Sequence, residues 1–579
     1  GAYRSVGSTT WTLWWALHRH GLLPDRLEGH RGRSVTPRDG DRPFEDTWAE
    51  ARATVARRQV LPFLLKLLDP KARVRDDVRA SALLALGRCG DPGIGMPVIR
   101  AWLHDRKAAD LVRESAALAM GLLRRSAPAL RGDGIALDGI RNELLGVFDD
   151  TQAATRVRAF SALALGLLAD QDHASAWSKD GRLVSRALWK RLEDGRLSEE
   201  LTVAALTALG MPPAAGVSDA QRTGLQEIAI GKRVLRRAWS NVERAHALTA
   251  ALRLGGLRGT PFLIRMLENR RAPQAVRRAV LIALGDHVHR LDGEERYRVS
   301  KALATALRAA RDPLTKGLAH VAAGFLLQAD LAQGRTRVTD DRVLPRLLIV
   351  EAQRGQQASR GFSAIALALA VRGARSSGVA ATIRLEAEKV LTDGLTETRS
   401  DALVRGAFAV AVGVAGMQQV TGTLTALVED TSAAAPLRGY AAVALGQLGV
   451  RSREIERSLL LALAEKHEEG LRRDAALALA LLDGRTARAS LMKELDRGGT
   501  EQLFGEVVIA LGALGDLRAV DALLEYAADD ERSELSQALA VVALGRLLDP
   551  EPRPSLLRLT RHANYPARTE SLAEAYSIL

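Results

Sequence analysis

Eleven histidines, one cysteine and many carboxylates are the groups in this 579-residue chain that do metal, acid–base or nucleophilic chemistry. Their spacing argues against each such use. His287 and His289 form the one tight pair within the body of the chain, with Asp286 beside them, and His18 and His20 repeat the spacing near the start. On a helix, residues two apart point to different sides, so neither pair chelates a metal well. His467-Glu468 is a single His–carboxylate pair, and a two-metal cage needs several. The acids of Asp170-Gln171-Asp172 to Asp180-Gly181 lack the alternation, central glycine and terminal glutamate of a calcium loop. Gly90-Asp91-Pro92-Gly93-Ile94-Gly95 has no following lysine and no preceding strand, so it reads as a turn and not as a phosphate cradle. No Gly-x-Ser-x-Gly elbow and no His-Glu-x-x-His occurs. The expectation is a non-catalytic protein with no cofactor and no metal. Cys89, the sole thiol, excludes a disulfide framework and a cysteine-based zinc cluster.

Charge offers more than catalysis does. Lys+Arg total 82 against 68 Asp+Glu, a net +14, and only 11 of the 82 are lysine. The excess is concentrated. From Arg222 to Arg278 there are 13 basic residues and 3 acidic, whereas Asp496 to Glu534 holds 3 basic and 10 acidic. The densest basic run is Lys232, Arg233, Arg236 and Arg237, next to Trp239. Offsets 0, 1, 4 and 5 put all four cations on one helical strip. Arg270, Arg271, Arg277 and Arg278 would extend it onto the following segment. Such a strip fits an acidic protein, a phosphate backbone or an anionic surface. The opposed charges also suggest self-association, the acidic end of one molecule meeting the basic middle of another.

The elements that position these residues are repeats. The frame Val78-Arg79-Ala80-Ser81-Ala82-Leu83-Leu84-Ala85-Leu86-Gly87 recurs as Val112 to Gly121, Val157 to Gly166, Val276 to Gly285, Val404 to Gly413 and Leu437 to Gly446. Degenerate copies end at Gly210, Gly255, Gly324, Ala368, Ala480, Gly512 and Gly545, and a last one begins at Ala567, which makes about 14 units. Apolar or small residues at offsets 0, 4, 7 and 8 share one helical face. A second apolar-periodic segment precedes most frames, as in Pro62 to Asp69 and Ala519 to Tyr526. The unit is therefore a helix hairpin, and one hairpin cannot bury its stripe without neighbours. The arginine at offset 1 (Arg79, Arg113, Arg158, Arg405, Arg438, Arg472) reads as a structural ladder, with Asp105, Asp150 and Asp430 as its expected partners.

Leu511-Gly512-Ala513-Leu514-Gly515-Asp516-Leu517-Arg518-Ala519-Val520 and Leu254-Gly255-Gly256-Leu257-Arg258-Gly259-Thr260-Pro261 resemble HEAT repeats, in the short form of bacterial and phycobilisome-lyase-like arrays. The resemblance covers roughly residues 50 to 579. It implies an all-α, HEAT-type α-solenoid superhelix of about 14 hairpins and says little about activity. A bilin-lyase use would need a chromophore-handling residue, for which only Cys89 is present. Di-iron hydroxylases built on HEAT repeats need several His-Glu pairs, and His467-Glu468 stands alone. Stacking at 8–10 Å per repeat gives an open spine on the order of 120 Å.

Residues 1–47 are no repeat. Thr9-Thr10 is placed to cap a short helix, Trp11 to His20, and Gly29, Gly32, Pro37, Gly40 and Pro43 make an irregular arm behind it. Trp11, Trp14 and Trp15 share a face of that helix. It is expected to cover the first hairpin, the alternative being an exposed docking face. Gly1-Ala2-Tyr3-Arg4 followed by Thr10 to Trp15 is similar to the start of uncharacterised exported bacterial HEAT-repeat proteins, which implies export. The chain begins at Gly1, as a removed signal peptide or trimming would each produce.

The array divides into 48–412, with longer repeats, and 413–579, with compact ones. The extra residues fall at Ser126–Gly139, Ala169–Gly181, Met211–Gly224, Asp286–Gly293, Ala329–Asp341 and Arg372–Gly378, read as loops along one edge. No stretch is long and apolar enough to cross a membrane. The sequence predicts a protein-binding scaffold or complex subunit, with nucleic acid or another polyanion on 222–278 as the alternative. The expected contacts are Lys232, Arg233, Arg236, Arg237, Trp239, Arg270, Arg271, Arg278, Trp11, Trp14 and Trp15.

Overall fold

The computed structural model of the protein describes Trp11, Thr12, Trp15 and residues 44–89, 92–123, 134–169, 178–211, 216–254, 260–269, 271–334, 337–377, 381–482, 487–497, 501–513 and 517–549. All regular structure among them is helical. The copy of the repeat frame beginning at Ala567, and most of the arm at 1–47, lie outside the described residues.

Helix α1 (Phe44–Val55) passes through a π-helical turn, Ala56–Val60, into the first of thirteen hairpins. The hairpins are α2–α3 (Leu61–Leu67, Asp76–Cys89), α4–α5 (Pro92–His104, Asp110–Leu123), α6–α7 (Gly134–Asp149, Thr155–Ala169) and α8–α9 (Ser178–Glu193, Glu199–Leu209). Next come α10–α11 (Asp219–Ile230, Asn241–Leu254), α12–α13 (Thr260–Glu268, Gln274–His287), α14–α15 (Gly293–Ala309, Pro313–Ala332) and α16–α17 (Val343–Arg354, Gln357–Ser377). The last five are α18–α19 (Ala381–Thr396, Ala402–Val414), α20–α21 (Thr421–Glu429, Ala435–Leu448), α22–α23 (Arg453–Leu463, Glu469–Leu482), α24–α25 (Ala487–Arg497, Glu501–Ala513) and α26–α27 (Val520–Ala528, Glu534–Leu548). No described helix is long and apolar enough to cross a membrane.

Each second helix packs on the second helices before and after it. The glycine at offset 9 permits this. A Cβ on Gly87 would lie 2.7 Å from Ala119 Cα, one on Gly446 2.8 Å from Ala478 Cα, and one on Gly121 2.9 Å from the Ala164 carbonyl oxygen. In each pair the partner alanine holds offset 7 of the next frame. Backbones thus touch with almost nothing between them, which suits a core of Ala, Val and Leu with few aromatics.

The array does not run out as an open spine. α27 packs on α3 in the same register as every regular neighbour pair: a Cβ on Gly545 would lie 2.8 Å from Ala85 Cα, and Ala85 holds offset 7 of the first frame. Arg88 Nη1 pairs with Asp549 Oδ2 at 3.1 Å, with both side chains under a tenth exposed. Arg52 donates to the Asp549 carbonyl at 2.8 Å, and Arg75 pairs with Glu534 at 3.1 Å. The thirteen described hairpins therefore close into a ring, second helices inside and first helices outside. Per-repeat curvature that returns the array to its start removes both solenoid ends, which otherwise need polar caps.

The insertions at Ala329–Asp341 and Arg372–Gly378 are largely helix and not loop. α15 and α17 run on to Ala332 and Ser377, because Leu326, Leu327 and Leu331, and likewise Val371 and Ala374, continue the buried register. Gly, Asp and Ser content suggested loops, and packing overrode it. Asp286–Gly293 similarly holds a 3-10 turn, Val288–Arg290.

The offset-1 arginines are a structural ladder, but their partners are not Asp105, Asp150 and Asp430. Arg113, Arg158, Arg405 and Arg438 each donate Nε to the backbone carbonyl ten residues earlier (Leu103, Phe148, Leu395, Val428), at 2.9–3.2 Å. A cation thus satisfies an orphan carbonyl at the C-terminal end of the first helix, where the helix dipole also favours it. The aspartates instead shape the turn itself. Asp105, Asp150 and Asp430 accept from the backbone N–H two residues on, at 2.9 Å.

Candidate binding surface

Because every hairpin runs first helix, turn, second helix, all the inter-helix turns lie on one edge of the ring. The basic segment meets this edge at hairpins α10–α11 and α12–α13. α10 starts with a capping box, Ser218 with Gln221, and stops at Gly231, whose φ of 88° is left-handed. The helix cannot continue, so Lys232 to Trp239 is not the helical strip expected from spacing. It is a connection with one 3-10 turn, Val234–Arg236.

Leu235 and Arg236 both sit at positive φ, 56° and 58°. Side chains rarely adopt that region, and each such residue costs on the order of 1–3 kcal/mol. The strain is held by Trp239, which is 8% exposed and donates Nε1 to the Val234 carbonyl at 3.1 Å. Arg237 lies over the Trp239 ring at 4.1 Å and pairs with buried Glu243, which also accepts from Ser240 N at 2.8 Å. Arg237 and Trp239 are thus pins of the turn and not contact residues. Lys232 is exposed and pairs with Glu227 at 2.8 Å. Arg233 and Arg236 are exposed and make no ion pair among the described residues.

In the next hairpin Arg271 is exposed after an Asn269 turn. Arg270 lies outside the described residues. Arg278 is turned inward. It binds Asp312 at 2.9 Å and Thr315 Oγ1 at 3.3 Å, linking α13 to α15. Burial alone pushes Asp312 up, but hydrogen bonds from Thr315 and Arg278 outweigh it and hold the carboxyl at about 2. Arg278 is therefore structural. Farther along the same edge Arg311 and Arg354 are exposed. The basic edge that remains is Arg233, Arg236, Arg271, Arg311 and Arg354.

Trp11 does not cover the first hairpin, and neither Trp11 nor Trp15 faces outward as a docking face would. Trp11 and Trp15 are each 3% exposed. Trp11 packs against α17, 2.5 Å from a Cβ built on Gly361, with its ring centroid 5.0 Å from Tyr440 of α21. Position 407 between them is alanine where its neighbours carry Phe362 and Tyr440, which leaves the indole room. Trp14 lies outside the described residues.

At the acidic end, Glu534 and Asp549 serve the ring closure, so the basic partner they meet is the chain's own first hairpin. Asp521, Glu525, Asp530 and Glu531 remain exposed. Cys89 sits at the same seam. Burial pushes its thiol up to about 12, and the Asp549 carboxylate adds to this. The thiol donates to the Ala85 carbonyl at 2.9 Å.

Buried titratable groups cluster in hairpins six to eight. His320 on α15 is 2% exposed. Burial holds it down at about 4, the nearby Glu351 opposing and Lys316 assisting. Glu351 accepts from Lys316 at 2.6 Å and from the Ser359 hydroxyl. Burial also lowers His287. A histidine whose folded pKa lies below its unfolded 6.5 makes the unfolded state the better proton acceptor between those values. Stability should therefore be full above about pH 6.5 and fall as pH drops towards 4. His320→Gln should flatten that slope in urea midpoints measured across pH 4–7, and an unchanged slope would contradict the burial. Among the described residues no three His, Cys, Asp or Glu side chains are grouped to hold a metal.

Two residues that spacing did not single out as a pair mark the seam between α13 and α15. A Cβ on the offset-9 glycine would meet neighbouring backbone at most of the described ring contacts, but one on Gly285 would meet the Phe325 ring, at 3.0 Å. Beside it Arg277, a ladder arginine, has a buried Nε with no acceptor; Arg79 and Arg472 share that, but their guanidinium groups bind the Ala72 carbonyl and Glu494 through Nη2. Phe325 after Gly324, where no other frame carries an aromatic, is the sequence signal for this seam.

No protein-family model matches the chain, and no characterised protein sequence matches it. Among solved structures it is similar to importin beta in an ammonium sulfate condition, at 14% identity and TM-score 0.40, covering 93% of this chain and 70% of that one. Importin beta in a polyethylene glycol condition gives 13% identity and TM-score 0.44, with 92% and 69% covered. UNC-45 from Drosophila melanogaster gives 13% and 0.31, with 91% and 84% covered. No residue role is carried over from these structures.

Proposed function

We propose that this chain is a non-catalytic, ring-shaped scaffold that holds a protein partner, as a subunit of a larger complex, through the basic part of its turn edge. The observation that carries the reading is the strained turn of α10–α11. It spends backbone energy to present Arg233 and Arg236 outward, unpaired, while Arg237 and Trp239 hold it from behind. Arg271, Arg311 and Arg354 continue the same edge, and a charged arc of this kind fits an acidic protein surface. A site outside the cytoplasm belongs to the same reading, on the strength of the N-terminal resemblance.

The test is affinity purification from the native source with the full chain as bait, beside the triple variant R233E/R236E/R271E. The reading expects a stoichiometric co-purifying protein that the variant loses and that moderate salt weakens. A bare monomer from both baits would overturn it. The polyanion alternative keeps the same cations but loses its stacking group, since Trp239 is buried under Arg237. Retention of the chain on single-stranded DNA at low salt, with a steep loss at moderate salt, would favour that alternative instead.

A further inference from the structure

The α12–α13/α14–α15 seam is where the ring's regular packing is interrupted. Phe325 stands against Gly285 in place of a backbone contact. A cavity of about 50 Å³ lies between them, walled by Met266, Leu267, Val280, Leu281, Ala306 and Ala319 and opening past Thr305. Glu268 and Asn269 connect it to an open groove of about 590 Å³ along α12 and α14.

Arg277 is the polar group at the cavity wall. By register its Nε belongs on the carbonyl ten residues back, at Leu267, as Arg113 binds Leu103 and Arg158 binds Phe148. That bond is missing, and the Nε is buried with no acceptor. An unmade bond at a buried guanidinium nitrogen is costly, and few persist without a reason. A carboxylate arriving at the seam supplies the missing acceptor in charge-assisted form. Basic groups outnumber acidic ones around it: Arg265 lines the groove with Glu268 and Glu295, and Arg271, Arg308 and Arg311 are exposed on the same two hairpins. Size selects the rest: benzene occupies a cavity of about 150 Å³, so this one admits a small aliphatic group and excludes an aromatic ring.

We propose that this seam binds an acidic peptide segment, one small aliphatic side chain entering the cavity and an adjacent carboxylate meeting Arg277, with the chain lying in the groove. It deepens the scaffold reading by naming the partner's chemistry. The probe is a fluorescein-labelled octapeptide of alternating Glu and Val, titrated by anisotropy against the full chain at low salt. The expected result is saturable binding, weakened at least tenfold by Arg277→Met and by Thr305→Trp, which blocks the mouth from an exposed position. Because the Arg277 side chain makes no hydrogen bond among the described residues, R277M should leave the thermal midpoint unchanged, which a purely structural ladder arginine would not. The Gln/Val analogue should fail to compete. Equal binding by R277M and the native chain would overturn the proposal, as would equal competition by the Gln/Val peptide, or displacement by a dT oligonucleotide that R277M does not affect. Loss of peptide binding in R277M beside retained capture by the edge-variant bait would separate this site from the edge reading.

Discussion

Gly545→Leu should open the ring. The first added carbon would stand 2.8 Å from Ala85 Cα and 2.9 Å from Ala85 Cβ, against the backbone of a helix held on its other side by α5. Neither helix can give way locally, so the closing contact between α27 and α3 is the one lost. The remaining neighbour contacts survive, and helical content should hardly change. Cys89 reports the event. In the closed ring burial and the Asp549 carboxylate keep its thiol at about 12. Return to an ordinary thiol near 8.5 raises the thiolate fraction at pH 8 by roughly a thousandfold. Labelling by a disulfide reagent should accelerate accordingly in G545L and, less fully, in Asp549→Ala. Gly422→Leu on α20 is the control, since a Cβ there meets nothing within 4 Å. Slow labelling in G545L, equal to the control, would mean that the seam is not what shields the thiol.

Arg296→Met should be the most damaging substitution that leaves the ring closed. Arg296 is 0% exposed, donates Nε to the Val288 carbonyl at 3.3 Å and Nη1 to Gln333 Oε1 at 2.8 Å, and lies 3.9 Å from Asp330, itself buried. Removing the cation leaves a buried carboxylate uncompensated, at a cost of about 3–5 kcal/mol. The double variant R296M/D330L removes both charges and should recover to within about 1 kcal/mol of the native chain, because well-packed apolar groups replace buried pairs at little net cost. Urea unfolding of the two variants checks this. A double variant as unstable as the single would show that Asp330 is not the residue left stranded.

Much of this architecture is legible in the sequence. The frame fixes the second helices because offsets 0, 4, 7 and 8 repeat wherever the chain must bury a stripe. Closure is less visible: it depends on a small rotation per repeat, summed over thirteen, and no single residue states that angle. In the sequence Gly545 has a following frame, at Ala567, to pack on, so nothing there points to Ala85 of the first frame. The basic strip was legible as charge and misread as shape. Gly231 ends the helix before Lys232, and the left-handed turn at Leu235 and Arg236 sends Arg237 inward and Arg236 outward. Trp11 and Trp15 were legible as a shared face, but the surface they cover lies far along the chain, and spacing carries no information about such a contact. Arg277 looked like any ladder arginine, since a missing acceptor shows only in three dimensions.

Ring closure is the central claim, and a distance across the seam tests it most directly. Arg73 and Glu531 are exposed residues on the turns of the first and last described hairpins. Arg73→Cys and Glu531→Cys, in a chain carrying Cys89→Ser, accept a donor and an acceptor dye for single-molecule energy transfer. A closed ring predicts one high-transfer population, as neighbouring hairpins stack about 10 Å apart, and its collapse to low transfer when Gly545→Leu is added. An open spine places the same turns on the order of 100 Å apart. Near-zero transfer in the chain without Gly545→Leu would contradict the ring.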